Sequence, residues 1–203
     1  VLDADRIADS SNIVYSRTKP EFKAETPPEP EPEAKPAPAP FVLDPSAAFD
    51  KVASIPVMGM GVPYPDSQLY PVEGDANLTF MSRDEDALIT FIVLLTKPKN
   101  GRPTVKETTS LKDQVLAALS KATPGGYNVS ENKLDNRNPI MAHFKATFNS
   151  SGVTRYVYAF FGAWHNETDN SNSIYTMILE CPVELSDGYL SLFERIRASL
   201  TDV

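Results

Sequence analysis

Three side chains have the chemistry for nucleophilic or acid–base catalysis, namely His143, His165 and Cys181. A working nucleophile needs an imidazole within hydrogen-bond reach and a carboxylate to orient that imidazole. Here the three are isolated in sequence, and no local motif surrounds any of them. The expectation is a chain without catalytic residues, in which His143 lies on the polar face of a strand and His165 heads a loop. Cys181 is then a small buried hydrophobe. The loop HNETDNSNS (165–173) offers Glu167, Asp169 and Asn170 to a hard cation, but it lacks the alternating ligands, the turn glycine and the distal glutamate of a calcium loop. The Met58-Gly59-Met60-Gly61 pattern lacks the Lys-Ser/Thr and the following helix of a phosphate loop. One cysteine permits neither an intrachain disulfide nor a cysteine zinc site. No metal and no cofactor is expected.

Composition narrows the partners. The formal charge is −8 with a sequence pI of 4.8, and residues 1–45 (five Lys/Arg, nine Asp/Glu) carry half of that charge. Such a chain offers no basic face to nucleic acid and is repelled by an anionic membrane surface. Its longest apolar run, Ala87–Leu95 with Thr90 inside it, is too short to cross a bilayer. A start at Val1 fits removal of a signal peptide or a membrane anchor preceding it. Four sequons, at Asn77, Asn128, Asn149 and Asn166, suit a secreted eukaryotic chain. The lone cysteine and the Pro-Glu run suit a periplasmic one equally well.

Residues 20–45 hold nine of the eighteen prolines. Proline fixes φ and removes an amide donor, so alternating Pro-Glu and Pro-Ala can neither build a ladder nor bury a face. The run reads as an extended spacer of roughly 80 Å at about 3.1 Å per residue. It divides a short arm, 1–19, from a globular domain, 46–203. The arm carries a weakly helical start around Leu2, Arg6 and Ile7, then a strand-like patch at Ile13, Val14 and Tyr15. Apolar residues beyond a long spacer have no use within the spacer itself, which makes Leu2, Ile7, Ile13, Val14 and Tyr15 candidate docking residues. Trp164, the only tryptophan, is the candidate anchor on the domain.

In the globular part, Asp44-Pro45-Ser46 resembles a helix start, with a helix over 46–54. A covering loop over 55–72 follows, broken by Pro and Gly. A hairpin is expected from 76–82 and 86–96, then a helix over 110–122 started by Ser110 and Asp113, with Leu111, Val115, Ala118, Leu119 and Ala122 inward. Strands follow at 127–134 and 140–148, the latter with Ile140, Ala142, Phe144, Ala146 and Phe148 on one face and His143 on the other. In the next strand Tyr156, Tyr158 and Phe160 oppose Val157, Ala159 and Phe161. After the loop at 165–173 and the strand SIYTMILEC, Ser186 caps a closing helix with a stripe of Tyr189, Leu192, Phe193, Ile196 and Leu200. The fold class is α+β, an antiparallel sheet flanked by helices.

This order resembles the α/β/α sandwich of the PsbP-like and DcrB-like family, which includes extrinsic photosystem proteins, bacterial lipoproteins, effector chaperones and a eukaryotic Ran-binding factor. The residues carrying it are NLTFMS and DALITFIVLLT, SLKDQVLAAL, the hairpin PIMAHFKATF to TRYVYAFFGAW, SIYTMILEC and YLSLFERIRASL, within residues 66–203. The resemblance implies a mostly non-enzymatic protein whose partner the fold does not name. The expected function is a non-catalytic accessory or assembly subunit of a larger extracytoplasmic complex, membrane-embedded partners included, held through its arm and spacer. The alternative is a domain binding a small ligand or lipid between Tyr156, Tyr158 and Phe160 and the covering loop.

Overall fold

A computed structural model describes residues 6–8, 14–16, 41–73, 77–98, 101–135 and 141–202. The chain divides into two compact units, 1–39 and 40–203. In the first, β1 (Arg6–Ala8) and β2 (Val14–Ser16) pair antiparallel with Ile7 opposite Tyr15. The helical start expected around Arg6 and Ile7 is therefore a strand, because a single helical turn does not repay its nucleation while β-branched residues suit an extended pair. Leu2 and Ile13 lie outside the described residues.

The second unit is built on a seven-stranded antiparallel sheet in the order β5-β6-β7-β11-β10-β9-β8. Its strands are β5 (Leu69–Glu73), β6 (Asn77–Ser82), β7 (Leu88–Lys97), β8 (Asn128–Asp135), β9 (Met141–Ser150), β10 (Val153–Asn166) and β11 (Ser171–Pro182). Alternation sets the two faces. Ala142, Phe144, Ala146, Val157, Ala159 and Phe161 form one buried cluster, against which helix α1 (Val105–Ala122) places Val115, Leu116 and Leu119. Tyr158, Phe160, Tyr175, Met177, Leu179 and Cys181 belong to the other cluster. That cluster is covered by helix α2 (Ser186–Ala198) and by a small sheet of β3 (Lys51–Ile55), β4 (Met60–Tyr64) and β12 (Thr201–Asp202) in the order β12-β4-β3. Helices thus flank an antiparallel sheet, the α+β class the sequence implies.

Four local differences have physical causes. Residues 46–54 form no helix. Asp44 accepts from the Ser46 amide at 2.8 Å and from its hydroxyl at 2.6 Å, and Ala47 N donates to Asp44 O at 3.2 Å. This is an Asx turn, which uses the same Asp and Ser chemistry as a helix cap. The expected covering loop contains β4 and β5, where Pro71 is tolerated because β5 is an edge. Helix α1 starts at Val105 through a capping box, in which Glu107 N donates to Thr104 Oγ1 at 3.3 Å and Thr104 N to Glu107 Oε2 at 2.9 Å. The inward face runs through Thr108, Lys112, Val115, Leu116 and Leu119 and leaves Ala118 and Ala122 exposed. Finally, β10 and β11 extend into the expected 165–173 loop, leaving a turn at 167–170 closed by Asp169 and by Asn170 at φ 56°.

Helix α2 matches its expected stripe: Tyr189, Leu192, Phe193 and Ile196 are fully buried. Leu200 lies beyond the helix end, partly buried against the same core. Ser186 makes no side-chain cap and instead donates its hydroxyl to Val183 O at 2.7 Å.

Candidate functional site

The three candidate catalytic residues are not brought together. His143 on β9 pairs with Phe160, and Cys181 on β11 pairs with Tyr156. From Tyr156 to His165 along β10 is roughly 30 Å at about 3.3 Å per residue. His165 also alternates onto the opposite face, is exposed, and shares a hydrogen bond with Asn172 at 3.2 Å. Burial pushes the Cys181 thiol up to about 12, so it is a thiol rather than a thiolate at neutral pH. Alkylation by iodoacetamide should therefore be negligible in the folded chain and fast after denaturation, as followed by mass. Ready labelling of the native chain would contradict this burial.

Among the described residues, Glu131 gathers a charged cluster at the β8–β9 edge. Glu131 pairs with Lys145 and Lys133 with His143 across the ladder. The Glu131 carboxylate contacts Lys145 at 3.0 Å, His143 at 3.1 Å and Lys133 as well. The His143 ring and the Lys145 ammonium both lie beside the Tyr158 ring, at 5.7 and 5.8 Å. One carboxylate thus serves two lysine ammoniums and the His143 ring, so the cations outnumber the carboxylate at this edge.

Lys133, then Lys145 and His143, hold the Glu131 carboxyl at about 2, below its ordinary 4.5. Lys97 and Thr104 hold Glu107 at about 2 in the same way. A depressed folded-state value stabilises the fold above the ordinary carboxyl range, and that contribution is lost as pH falls through the folded value. Thermal unfolding midpoints should therefore decline between pH 4.5 and about 2, and Glu131→Gln should flatten the decline. A wild-type midpoint constant across that window would contradict the pairing.

Trp164 sits on β10 opposite Ser173 and packs, partly buried, against the core shared with α2 and the small sheet. Tyr158 is buried edge-on against Phe193 at 5.2 Å, and Phe160 lies under Arg197 at 4.7 Å and beside Tyr175 at 6.2 Å. At Gly162 a Cβ would meet Phe160 at 2.8 Å and Tyr175 at 3.0 Å, so the missing side chain is filled by those rings. The chain's own side chains pack over the aromatic face that the ligand-binding alternative needs.

The feature that composition did not disclose is a strap. Residues 41–50 form a strap bent once by the Asx turn at Asp44–Ser46, with Phe41, Leu43, Pro45, Ala47 and Phe49 turned inward and the even-numbered residues outward. No ladder holds residues 41–49. Instead Arg195 of α2 donates to Pro45 O, and to Ala47 O at 3.1 Å, while its guanidinium lies 4.6 Å over the Phe49 ring. Asp44 N donates to Gln68 Oε1 at 2.8 Å. Leu43 presses on Gly188, where a Cβ would stand 2.7 Å from Leu43 Cδ2. A planar guanidinium suits this double capture, since it presents parallel donors and a stacking face at once. The period of two in Phe41, Leu43, Pro45, Ala47 and Phe49 was the available signal.

The domain is thus an α+β unit with a seven-stranded antiparallel sheet, helices on both faces, and a strap fastened to α2 where the proline-rich run enters it. No family model matches the sequence. No curated protein matches it either. Among solved structures the chain is similar to LpqN, involved in cell envelope biogenesis of Mycobacterium tuberculosis, with a TM-score of 0.48 and 13% identity over 70% of this chain and 82% of that one. It is also similar to the Saccharomyces cerevisiae Ran-binding protein Mog1p, with a TM-score of 0.45 and 8% identity over 77% of this chain and 97% of that one. Among the described residues no helix is long and apolar enough to cross a membrane.

Proposed function

We propose that this chain is a non-catalytic accessory or assembly subunit of a larger extracytoplasmic complex, whose arm engages one protein component and whose globular unit engages another. The observation that carries the reading is the strap. A tether transmits position only if its end is fixed, and Arg195 fixes the domain's end through two backbone carbonyls and the Phe49 ring. The sequence-derived candidates on the arm, Leu2, Ile7, Ile13, Val14 and Tyr15, are the proposed contacts at the far end. Trp164 is the proposed anchor on the domain, through the part of its ring that the core leaves uncovered.

The test is co-purification from the native host with a tagged full chain and with a chain lacking residues 1–39. The cut keeps the whole strap. Deletion should leave the circular dichroism spectrum of the domain intact while depleting one set of recovered proteins. Recovery of the same proteins in the same amounts from both chains would sink the proposal.

A further inference from the structure

Two buried polar side-chain atoms lack a hydrogen-bond partner among the described residues: the indole Nε1 of Trp164 and the hydroxyl of Ser171. In the β10–β11 register Trp164 opposes Ser173 and Asn166 opposes Ser171. Residues opposite one another, and those two further along, share a face, so Trp164 and Ser171 are diagonal neighbours on the side facing α2 and the small sheet. Groups around them are already engaged. Ser173 Oγ pairs with Thr96 Oγ1 at 3.0 Å, Asn166 Oδ1 accepts from Thr168 N at 2.9 Å, and the Ser171 amide donates to Asp169 Oδ1 at 2.9 Å.

The turn after Pro56–Met58 closes against this end of the hairpin. Gly59 has a left-handed φ of 57°, and a Cβ there would stand 2.9 Å from Asn166 Oδ1. The left-handed φ favours glycine, and the absent Cβ leaves room for the Asn166 amide. Ser171 is 4% exposed and Asn166 8%, so bulk solvent does not reach the face between them. A buried indole N–H and a buried hydroxyl are each costly without a partner, and folded proteins meet that cost with ordered waters making two to four hydrogen bonds.

We propose that Trp164 Nε1–H and Ser171 Oγ are the two ends of a site for one small neutral hydrogen-bonding molecule, an ordered water, enclosed between the hairpin end and the Gly59 turn. The indole donates to the water oxygen, and the water and the Ser171 hydroxyl share the second bond. The site makes the seat of the small sheet on the hairpin partly polar.

A crystal structure of the full chain at high resolution should show a solvent peak within about 3.2 Å of both atoms. A direct Trp164–Ser171 hydrogen bond, or separate protein partners for the two atoms, would overturn the proposal. Because Trp164 is the only tryptophan, the emission comes from this side chain alone. Ser171→Ala should shift that emission to the blue by loosening the water, whereas an unchanged spectrum counts against the bridge. Trp164→Phe and Ser171→Ala should also be non-additive in unfolding midpoint; strict additivity would count against a shared guest.

Discussion

Arg195→Ala is expected to release residues 41–50 from the domain while the two-layered core stays folded. The substitution removes two hydrogen bonds from a charged donor and one cation–ring contact. Charge-assisted bonds contribute about 1.5–3 kcal/mol each when buried and a cation–π contact about 0.5–1 kcal/mol; the half-exposed guanidinium discounts their sum to a local loss of about 2–4 kcal/mol. Since 1.4 kcal/mol is a factor of ten, amide exchange in the strap should accelerate by roughly one to three orders of magnitude. The amides to watch are Asp44, bonded to Gln68 Oε1, and Asp50, bonded to Tyr64 O. Arg195→Lys should recover only part of the protection, because a lysine cannot take both carbonyls and stack on Phe49. Equal exchange in Arg195→Ala and wild type would show that the strap is held without Arg195, by Leu43, Asp44 and Asp50.

Phe144→Ala should cost more global stability than the loss of Arg195. Phe144 is fully buried, its ring centroid lies 6.1 Å from that of Phe161, and its cluster is otherwise made of Ala142, Ala146, Val157 and Ala159. Alanines cannot swing into a vacated ring volume, and only one helix, α1, lies above the cluster to collapse onto it. The removed ring and the residual cavity together cost about 3–5 kcal/mol. For a domain of this size that corresponds to a fall in Tm on the order of 10 °C. Calorimetry or thermal circular dichroism would measure it, and a shift of only a degree or two would mean that α1 does not form a packed layer on this face.

Much of the fold was legible where alternation was clean. The inward residues of β9 and β10 and the stripe of α2 could be read directly, because burial on one face imposes a period of two or of 3.6. Legibility failed where the same residue types serve two devices. Asp44 and Ser46 build an Asx turn with the groups that would cap a helix, and nothing local to 46–54 distinguishes the two outcomes. Thr104 and Glu107 form the true capping box, six residues before the Ser110–Asp113 pair that imitates one. The candidate site was less legible still. Arg195 acts on the carbonyls of Pro45 and Ala47, which carry no side-chain signature, and the contact spans most of the chain. The Glu131 cluster was recoverable in principle, since Glu131 and Lys133 alternate on one strand and His143 and Lys145 on its neighbour. It required the β8–β9 register, with its shift between Val129 and Glu131, that no local pattern supplies.

The strap also changes the meaning of the proline-rich run. Read from composition alone, residues 20–45 separate an arm from a domain. With Leu43, Pro45, Ala47 and Phe49 seated on the globular unit, the last part of that run belongs to the domain, and the free spacer of the proposal is correspondingly shorter. The proposed role then depends on spacer length as well as on the contacts at its two ends. Shortening the run by removing residues 27–38, with the arm and the strap left in place, isolates that variable. Cross-linking mass spectrometry of the native complex is the direct measurement. The proposal predicts that arm and domain each keep their own cross-linked neighbours in separate preparations, while particles containing both sets become scarce. Undiminished recovery of both neighbours in the same particle, with the spacer shortened, would contradict it.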